Sequence, residues 1–397
     1  MPQDSTIHLD LTQNVQQRGT LRESQPPAYP DVTSLSQPIT RDTLLKNYAG
    51  ILNAGNIYYP VAYQLPRLLG RGQQGHVFLG LRQGARGCIT ENAIKIYNPV
   101  LYNSPEEYWT DMGRIAAQIS RMQRSQSPNL VARYSYEETF GIGYVQMESI
   151  DGLDLVHVMQ ARNLQVAMTR STANEWNKFS QSVFRLDRKT ARLQPGFVVY
   201  LMRGILRGLE QLHNLGFLHF DLKPGNVMLD RLGTVKIIDF GRAVRVNEKV
   251  SFLFGSPQYM APETHRLQAG SPQTDLYSLG LIALELLRGE PLTTPDADEN
   301  TLLQMKLSIP KTLENLLPPY VAENKELVSI LKKMLAADPS ERYQSARDAE
   351  VGPDGLIVID RQLIQAGLDT EYARDFSDYL SKLVDPQTGR IESSALQ

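Results

Sequence analysis

The fold is decided by the stretch His219-Phe220-Asp221-Leu222-Lys223-Pro224-Gly225-Asn226, which follows an amphipathic helical segment and precedes the short apolar run 227–229. Transfer of a phosphoryl group needs a carboxylate that orients the incoming hydroxyl and accepts its proton. It also needs a cation near the migrating group and an oxygen ligand for Mg²⁺. Asp221, Lys223 and Asn226 offer these three groups within six residues. The stretch therefore indicates phosphoryl transfer.

A second motif reads Ile237-Ile238-Asp239-Phe240-Gly241, and its aspartate lies ten residues beyond Leu229. It places a carboxylate just after an apolar strand-like run, where it is suited to chelating Mg²⁺, an ion that prefers oxygen ligands. A chance set of turn residues would not be expected to give both motifs at this spacing. The two motifs together favour a magnesium-dependent reaction.

A glycine-rich stretch lies near the start of the strand-like region and reads Leu69-Gly70-Arg71-Gly72-Gln73-Gln74-Gly75-His76-Val77. Glycines let the backbone approach a polyphosphate closely and adopt unusual dihedral angles. A dinucleotide-binding fold uses the same spacing, but there the third glycine opens a helix. Here the following run, Val77-Phe78-Leu79, reads as a strand, which disfavours the dinucleotide-binding alternative.

Lys95 follows Ala93 and Ile94 on the third strand-like run, eighteen residues after Val77. A lysine between apolar neighbours is costly to bury unless its charge is paired. The residues alone leave two interpretations open: a buried, paired lysine, or an edge-strand lysine that faces solvent.

Composition sets wider limits on the kind of protein. The chain has 397 residues, 42 % of them hydrophobic, and a formal charge of −2, so nothing indicates a nucleic-acid or membrane partner. The single cysteine, Cys88, excludes an internal disulfide and favours a reducing compartment. Apolar runs such as Leu279–Leu287 are far shorter than the ~20 residues that span a bilayer, and residues 1–10 do not resemble a signal peptide. We expect a soluble protein.

The pattern along the chain indicates an α+β, bilobal plan. Residues 1–40 are rich in Gln, Pro, Ser and Thr and are predicted to be disordered, and residues 41–62 form a short helical lead-in. Strand-like runs and one helix, 105–124, fill residues 63–147. From residue 153 onward the apolar spacing is mainly helical.

Two segments lie outside this plan. Residues 162–192 carry seven Arg or Lys against two acidic residues, and we favour a solvated loop over a docking site. Residues 349–397 form a C-terminal extension with an amphipathic helix. Its apolar side chains either pack back on the body or bind a partner.

With these motifs the sequence resembles the eukaryotic-like serine/threonine protein kinase family, over residues 63–348. Three further matches lie outside the motifs described above: the segment 255–263 resembles the substrate-positioning segment, Asp275 matches the aspartate that braces the catalytic loop, and Arg342 matches the arginine that pairs with Glu263. Small-molecule phosphotransferases of related fold generally lack this last group, which favours a protein substrate.

The resemblance implies a protein-kinase fold with a small antiparallel β-rich N-lobe (63–147), a hinge (148–152) and a larger, mostly helical C-lobe (153–348). It implies ATP and Mg²⁺ as cofactors. Asp221 would be the catalytic base, Lys223 would steady the γ-phosphate, and Asn226 and Asp239 would hold Mg²⁺. The nucleotide would be bound by residues of the small lobe and hinge and by one residue after the catalytic loop: Leu69, Gly70, Gly72, Gly75, Val77, Ala93, Lys95, Met147, Glu148, Ile150 and Met228. Lys223-Pro224 together with Ser256 is the serine/threonine form of the loop.

The sequence departs from the family on the small-lobe helix, where a glutamate normally pairs with the strand lysine. Counting back nine residues from Ser127 gives Gln118, and Asp111 is a second candidate. An amide can still bond to Lys95, although a neutral hydrogen bond is weaker than a charge-assisted one. We therefore expect a Lys95–Gln118 pair and reduced activity.

The second departure is Phe220, where most members carry an arginine that reads a phosphate on the activation loop. The segment 242–254 contains one hydroxyl residue, Ser251. Both facts predict activity that does not depend on phosphorylation of this loop. His219 is interpreted as a packed structural histidine that supports Phe240.

Two alternatives to a protein kinase remain at this point. One is a pseudokinase that keeps the fold as an ATP-binding or scaffold module, and the other is an AMP-transferring enzyme on the same fold. The expected location is cytoplasmic, with export into a host cell as the alternative. A partner at residues 162–192 or at the C-terminal helix is a further expectation.

Overall fold

The computed structural model describes residues 39–391, except residues 59, 124–126, 187–190, 249–255, 294–296 and 368–370. Residues 1–38, where the sequence predicts disorder, and the predicted non-essential hydroxyl residue Ser251 lie outside the described residues.

The first lobe consists of a curved sheet and two helices. Its elements are α1 (Arg41–Ala54), β1 (Asn56–Ile57), β2 (Tyr63–Gly72), β3 (Gly75–Gln83), β4 (Ile89–Tyr97), α2 (Pro105–Met122), β5 (Arg133–Thr139) and β6 (Ile142–Met147). All neighbouring strands are antiparallel, in the order β1-β2-β3-β4-β6-β5. This confirms the small antiparallel lobe and its single main helix. The predicted lead-in belongs to the same lobe, because β1 pairs with β2 and α1 buries Leu44, Tyr48 and Ile51.

Helix α2 begins where its sequence predicts. The Ser104 hydroxyl accepts a hydrogen bond from the backbone N–H of Glu107, and Pro105 occupies the first turn, where it has no helical N–H to lose. One face of the helix is buried against the sheet through Tyr108, Met112, Ile115, Gln118, Ile119 and Met122. This face positions Gln118 inside the protein.

The second lobe is mainly helical. Its helices are α3 (Leu155–Val158), α4 (Ala161–Thr169), α5 (Ala173–Ser182), α6 (Pro195–Asn214), α7 (Pro262–His265), α8 (Pro272–Arg288), α9 (Glu299–Leu316), α10 (Pro319–Ala322), α11 (Lys325–Met334), α12 (Ala346–Val351), α13 (Ile357–Gln365) and α14 (Tyr372–Ser381). Its strands are β7 (Gly152–Asp154), β8 (Phe184–Leu186), β9 (Ala191–Leu193), β10 (Phe217–Leu218), β11 (Val227–Asp230), β12 (Val235–Ile237) and β13 (Val244–Arg245). Helices α6 and α8 pack together at the centre, and both are almost entirely apolar on their contact faces. The short sheet β12-β11-β7 packs on α6 and α3 and sets the two motif stretches side by side.

The basic segment 162–192 is not a solvated loop, so this expectation was wrong. It forms α4, α5 and the hairpin β8–β9. The ring of Tyr379, on α14, lies 4.8 Å from the ring of Phe184 and 6.0 Å from that of Phe179. Lys178 pairs with Asp375 at 2.6 Å. The C-terminal helix thus packs back on the body, as the first of its two alternatives predicts, and the two segments cover each other.

Candidate active site

A cleft of about 770 Å³ lies between the two lobes. It brings together all but one of the predicted site residues. Its lining includes Leu69, Gly70, Gly72, Gly75, Val77, Ala93, Lys95, Met147, Glu148, Ile150, Asp221, Lys223, Met228 and Asp239. The exception is Asn226, which is buried directly behind this surface. Residues from the two motifs that carry Asp221 and Asp239 and from five strands, β2, β3, β4, β6 and β11, therefore meet in one cavity.

The glycine-rich stretch is the turn between β2 and β3, with Gly72 paired to Gly75. Gly75 has φ +146°, and a Cβ there would lie 1.9 Å from the carbonyl oxygen of Ile96, so only glycine fits. The turn contacts the segment that follows Asp239, because Arg242 donates to the Gln73 side chain at 2.9 Å. The strand–turn–strand context agrees with the sequence argument against a dinucleotide-binding helix.

Lys95 is buried, with 8 % of its side chain exposed, which decides between its two interpretations. Its Nζ donates to the Asp239 carboxylate and, at 2.9 Å, to Gln74 Oε1. It is therefore a paired lysine inside the cleft. The contact with Gln74, a residue of the glycine-rich turn, had no signal in the sequence.

The expected Lys95–Gln118 pair is wrong. The Gln118 amide nitrogen instead donates to the carbonyl of Ala243. Asp111, the second candidate, accepts hydrogen bonds from Tyr102 at 2.6 Å and Arg114 at 2.8 Å. Because neither side chain on α2 reaches the lysine, Asp239 takes the place of the helix carboxylate.

The Asp239 carboxylate lies between two cationic side chains, with 37 % of its surface exposed to the cleft. Burial in the cleft raises its pKa, but the charge and hydrogen bond of Lys95 and the nearby Arg133 guanidinium lower it, and the pKa ends well below its ordinary value. The aspartate is thus ionised throughout the physiological pH range. Sequence reasoning missed Arg133, whose guanidinium lies 4.4 Å from the ring centroid of Phe240.

Asp221, Lys223 and Ser256 also converge in the cleft. Lys223 Nζ lies 3.2 Å from Asp221 Oδ2 and 2.9 Å from Ser256 Oγ. The backbone N–H of Ser256 donates to Asp221 Oδ1 at 2.8 Å. These contacts orient the Asp221 carboxylate and place the Lys223 ammonium group beside it.

Asn226 and Asp239 offer the oxygen ligands that Mg²⁺ prefers. Asn226 Nδ2 donates to the backbone carbonyl of Asp221 at 2.8 Å, so the amide oxygen points away from that carbonyl. The backbone carbonyl of Asn226 accepts from Ile238 N at 2.9 Å, which places Asn226 next to the Asp239 strand. An ionised carboxylate and an amide oxygen on adjacent backbone segments fit the donor set of a magnesium ion.

Asp275 holds the backbone of the loop that carries Asp221. The Asp275 carboxylate is fully buried and accepts from the backbone N–H groups of His219 at 2.8 Å and Phe220 at 2.9 Å. The contact holds Phe220 in a left-handed conformation, φ +65°, that a bulky residue rarely adopts. The His219 ring lies 5.4 Å from the Phe240 ring and its Nε2 lies 3.0 Å from the Ile238 carbonyl oxygen, in the packing position that was expected for it.

The hinge residue Glu148 uses its side chain for structure. Its carboxylate pairs with Lys236 at 3.0 Å and accepts from Ala132 N at 3.2 Å. The side chain is therefore turned toward Lys236 on β12. Ile391 also lines the cleft, although it lies far along the chain and no sequence pattern pointed to it.

A bilobal fold with this cleft is typical of protein kinases, and comparison with known proteins agrees. Residues 63–350 match the protein kinase domain family. The chain is 27 % identical over 296 residues to the serine/threonine-protein kinase PrkC of Bacillus subtilis, covering 72 % of this chain and 39 % of that protein. It is 28 % identical over 295 residues to a probable serine/threonine-protein kinase PknB of Bifidobacterium longum, covering 72 % and 38 %. The crystal structure of a mutant of the PknI kinase domain of Mycobacterium tuberculosis superposes with a TM-score of 0.50 at 22 % identity, covering 76 % of this chain and 95 % of that one.

The chain belongs to the protein kinase domain family, and its fold is the expected protein-kinase fold. It spans about two fifths of the length of the PrkC and PknB proteins named above. Among the helices of the described residues, none is long and apolar enough to cross a membrane.

Proposed function

We propose that this chain transfers the γ-phosphate of ATP to serine and threonine hydroxyls of protein substrates. The observation that carries the proposal is the convergence of Asp221 and Lys223 with Ser256 in the same cleft that holds the Lys95–Asp239 pair. The names of the relatives support the same reaction.

Each group has a defined part in this reaction. Asp221 accepts the proton of the incoming hydroxyl while that oxygen forms a bond to the γ-phosphorus and the bond to the bridging oxygen of ADP breaks. Lys223, placed 3.2 Å from Asp221 Oδ2, stabilises negative charge on the transferring group. Lys95 lies under the glycine-rich turn, within reach of nucleotide phosphates.

Asn226 and Asp239 are the residues proposed to hold Mg²⁺, which neutralises phosphate charge when it is bound. Lys95 occupies one oxygen of Asp239, and the carboxylate keeps its second oxygen for another partner. Adenine is proposed to lie between Leu69, Val77, Ala93 and Met228, against the backbone of the hinge, because all four residues line the cleft, as do the hinge residues Glu148 and Ile150.

We also propose that activity does not require phosphorylation of the activation loop. Phe220 occupies the position where a phosphate-reading arginine would be expected, and it packs into an apolar cluster with Leu218, Val244 and Val246. Ser251→Ala should therefore retain most of the wild-type rate of phosphate transfer. A collapse of that rate would refute this part of the proposal.

A second candidate, a pseudokinase that binds ATP without transferring phosphate, is favoured by one observation. Lys95 has no acidic partner on α2 and is paired instead with Asp239, a residue proposed to hold the metal. An AMP-transferring enzyme is a third candidate on the same fold. One experiment separates all three.

That experiment incubates wild type and Asp221→Asn with Mg·ATP and a generic protein substrate, and measures both the intact mass of the products and nucleotide binding. A protein kinase gives phosphoryl adducts that Asp221→Asn abolishes without loss of nucleotide binding. Asp378→Asn, an exposed aspartate on α14, is the matched control and should behave as wild type. Nucleotide binding without transfer by wild type would support the pseudokinase, and adenylyl adducts would support AMP transfer.

The proposed location is the cytoplasm, which fits the single exposed cysteine, Cys88. Delivery into a host cell is the alternative. Fractionation of the producing cells and of their surroundings would distinguish the two.

A further inference from the structure

Residues 384–391, here called the strap, form a small hairpin that lies at the hinge end of the cleft. Val384 and Ile391 form an antiparallel bridge. Within the turn, Asp385 N donates to Arg390 O at 2.8 Å, and Gly389 N donates to Asp385 O at 2.8 Å. The hairpin is closed by its own backbone, so it is a defined structural element.

The strap is anchored to Asp151, a residue of the hinge. Asp151 Oδ1 accepts from Ile391 N at 3.0 Å, and Asp151 Oδ2 pairs with Arg231 Nε at 2.6 Å. Arg231 also donates to the carbonyl of Gly389. Asp151 and Arg231 thus hold the end of the strap against the wall of the cleft.

A second anchor comes from the basic segment. The Arg170 guanidinium donates to the carbonyls of Lys382 and Val384, each at 3.0 Å. This contact fixes the beginning of the strap. The direction in which the strap leaves α14 is therefore set by side chains outside that helix.

The strap also contacts the first lobe. Arg390 forms an ion pair with Glu91 on β4, two residues before the cleft residue Ala93. One short hairpin therefore connects β4 of the first lobe with Asp151 of the hinge. Ile391, only 2 % exposed, lines the cleft together with Ile150 and Asp151.

We propose that the strap is part of the nucleotide site: Ile391 supplies an apolar section of its wall, and the Arg390–Glu91 pair holds that section against the first lobe. The inference rests on the proposed function, because it assigns the cleft to ATP. The cleft keeps about 770 Å³ with the strap in place, a volume typical of small-molecule sites. The strap is therefore a wall of the site and leaves room for the nucleotide.

The test measures the Kd of a non-hydrolysable ATP analogue, with Mg²⁺, by titration calorimetry on the full chain. Ile391→Ala should weaken binding by about two- to fivefold, since truncation of this buried side chain leaves a cavity in the wall of the site and loosens its packing. It should raise KM for ATP by a similar factor while kcat stays within about twofold, because Ile391 touches no reacting group. Ile364→Ala, the same substitution at an isoleucine that is 55 % exposed on α13, is the matched control and should leave Kd unchanged.

The charge pair is tested by exchange. Glu91→Arg and Arg390→Glu should each weaken binding by about two- to fivefold, as expected for loss of a partly exposed pair, and the double exchange should restore wild-type affinity. Arg374→Glu, at an exposed arginine on α14, controls for the change in net charge. Thermal melting of each variant verifies that it is folded.

Unchanged affinity in Ile391→Ala would overturn the proposal. Tighter binding in any strap variant would also overturn it, because the strap would then hinder nucleotide binding. Failure of the double exchange to restore affinity would overturn the role of the ion pair. Failure of the proposed function is distinguishable, since it is measured as absence of phosphate transfer by wild type, whereas the role of the strap is measured as the affinity of each strap variant relative to wild type.

Discussion

The buried ion pair between Arg342 and Glu263 gives the sharpest test of what holds the second lobe together. Arg342 has no exposed side-chain surface, and Glu263 has 4 %. The two guanidinium nitrogens donate to the two carboxylate oxygens at 2.7 and 2.8 Å. Arg342 Nε also donates to the carbonyl of Ala336 at 2.8 Å, and Nη1 to that of Gln273 at 3.0 Å. We predict that Arg342→Met strongly destabilises the protein.

The magnitude follows from what remains after the substitution. Methionine fills most of the volume but leaves Glu263 as a buried carboxylate whose nearest side-chain donor is the Thr274 hydroxyl, at 3.0 Å. Removing one partner of a buried pair costs about 3–5 kcal/mol. The entropy of unfolding is about 2.1 cal/mol/K per residue, or roughly 0.7 kcal/mol/K for about 350 ordered residues, so the predicted drop in Tm is about 4–7 °C.

Differential scanning calorimetry on the purified protein measures this shift. Arg347→Met is the matched control, since Arg347 is 71 % exposed and pairs with Glu210 at 3.4 Å. An exposed pair is worth about 0–1 kcal/mol, so this control should lower Tm by about 1 °C or less. The double variant Glu263→Gln/Arg342→Met should lose less than the sum of the two single variants, because it leaves no unpaired charge.

Two results would refute the reasoning. One is a Tm shift for Arg342→Met no larger than that of Arg347→Met. The other is strict additivity of the two single substitutions, because it would mean that Arg342 and Glu263 do not act through each other.

Three further predictions concern Arg133, Lys306 and Gly233. Arg133→Leu should raise Tm, because it removes a buried guanidinium whose Nε and Nη1 find no partner among the described residues; a lower Tm in calorimetry would contradict this. Burial lowers the pKa of Lys306 to about 7, whereas the unfolded chain keeps this proton to about pH 10. The free energy of unfolding should therefore rise as pH increases from 7 to 9. Denaturant titrations across that range should show a smaller rise for Lys306→Met, and an equal rise would exclude Lys306 as its source. Gly233→Ala should lower Tm by several degrees, because Gly233 has φ +78° and a Cβ there would lie 2.3 Å from the carbonyl oxygen of Ala373; a change under about 1 °C would contradict it.

The sequence predicted the parts of the site that depend on neighbours along the chain. The eight residues from His219 to Asn226 carry their own turn, and the helix and strand on either side have clear periodicity. Their positions are set by backbone contacts such as that of Asp275 with the loop, a brace that the family resemblance implied. The sequence therefore predicted the part of the cleft formed by residues 219–226.

The partner of Lys95 was not predictable in the same way. Counting along α2 identifies which residues share its buried face, and Gln118 does lie on that face. It does not give the distance between that face and β4, which depends on how the helix packs on the sheet and on the segment after Asp239. Gln118 reaches the carbonyl of Ala243, and Lys95 is left to pair with the acid closest to it. The periodicity of a helix identifies its buried face, whereas tertiary packing determines which residues that face contacts.

Sequence periodicity also does not show that the basic segment and the C-terminal extension contact each other. Each has an apolar face and a set of charges, and sequence periodicity alone assigns neither face a partner. In the folded chain Arg170 of the first segment bonds to Lys382 and Val384 of the second, more than 200 positions away. The positive charge that suggested a solvated surface is used in part for this contact and for the pairing of Lys178 with Asp375. Because the strap begins where this contact ends, the two segments together form one support that reaches the cleft at Ile391.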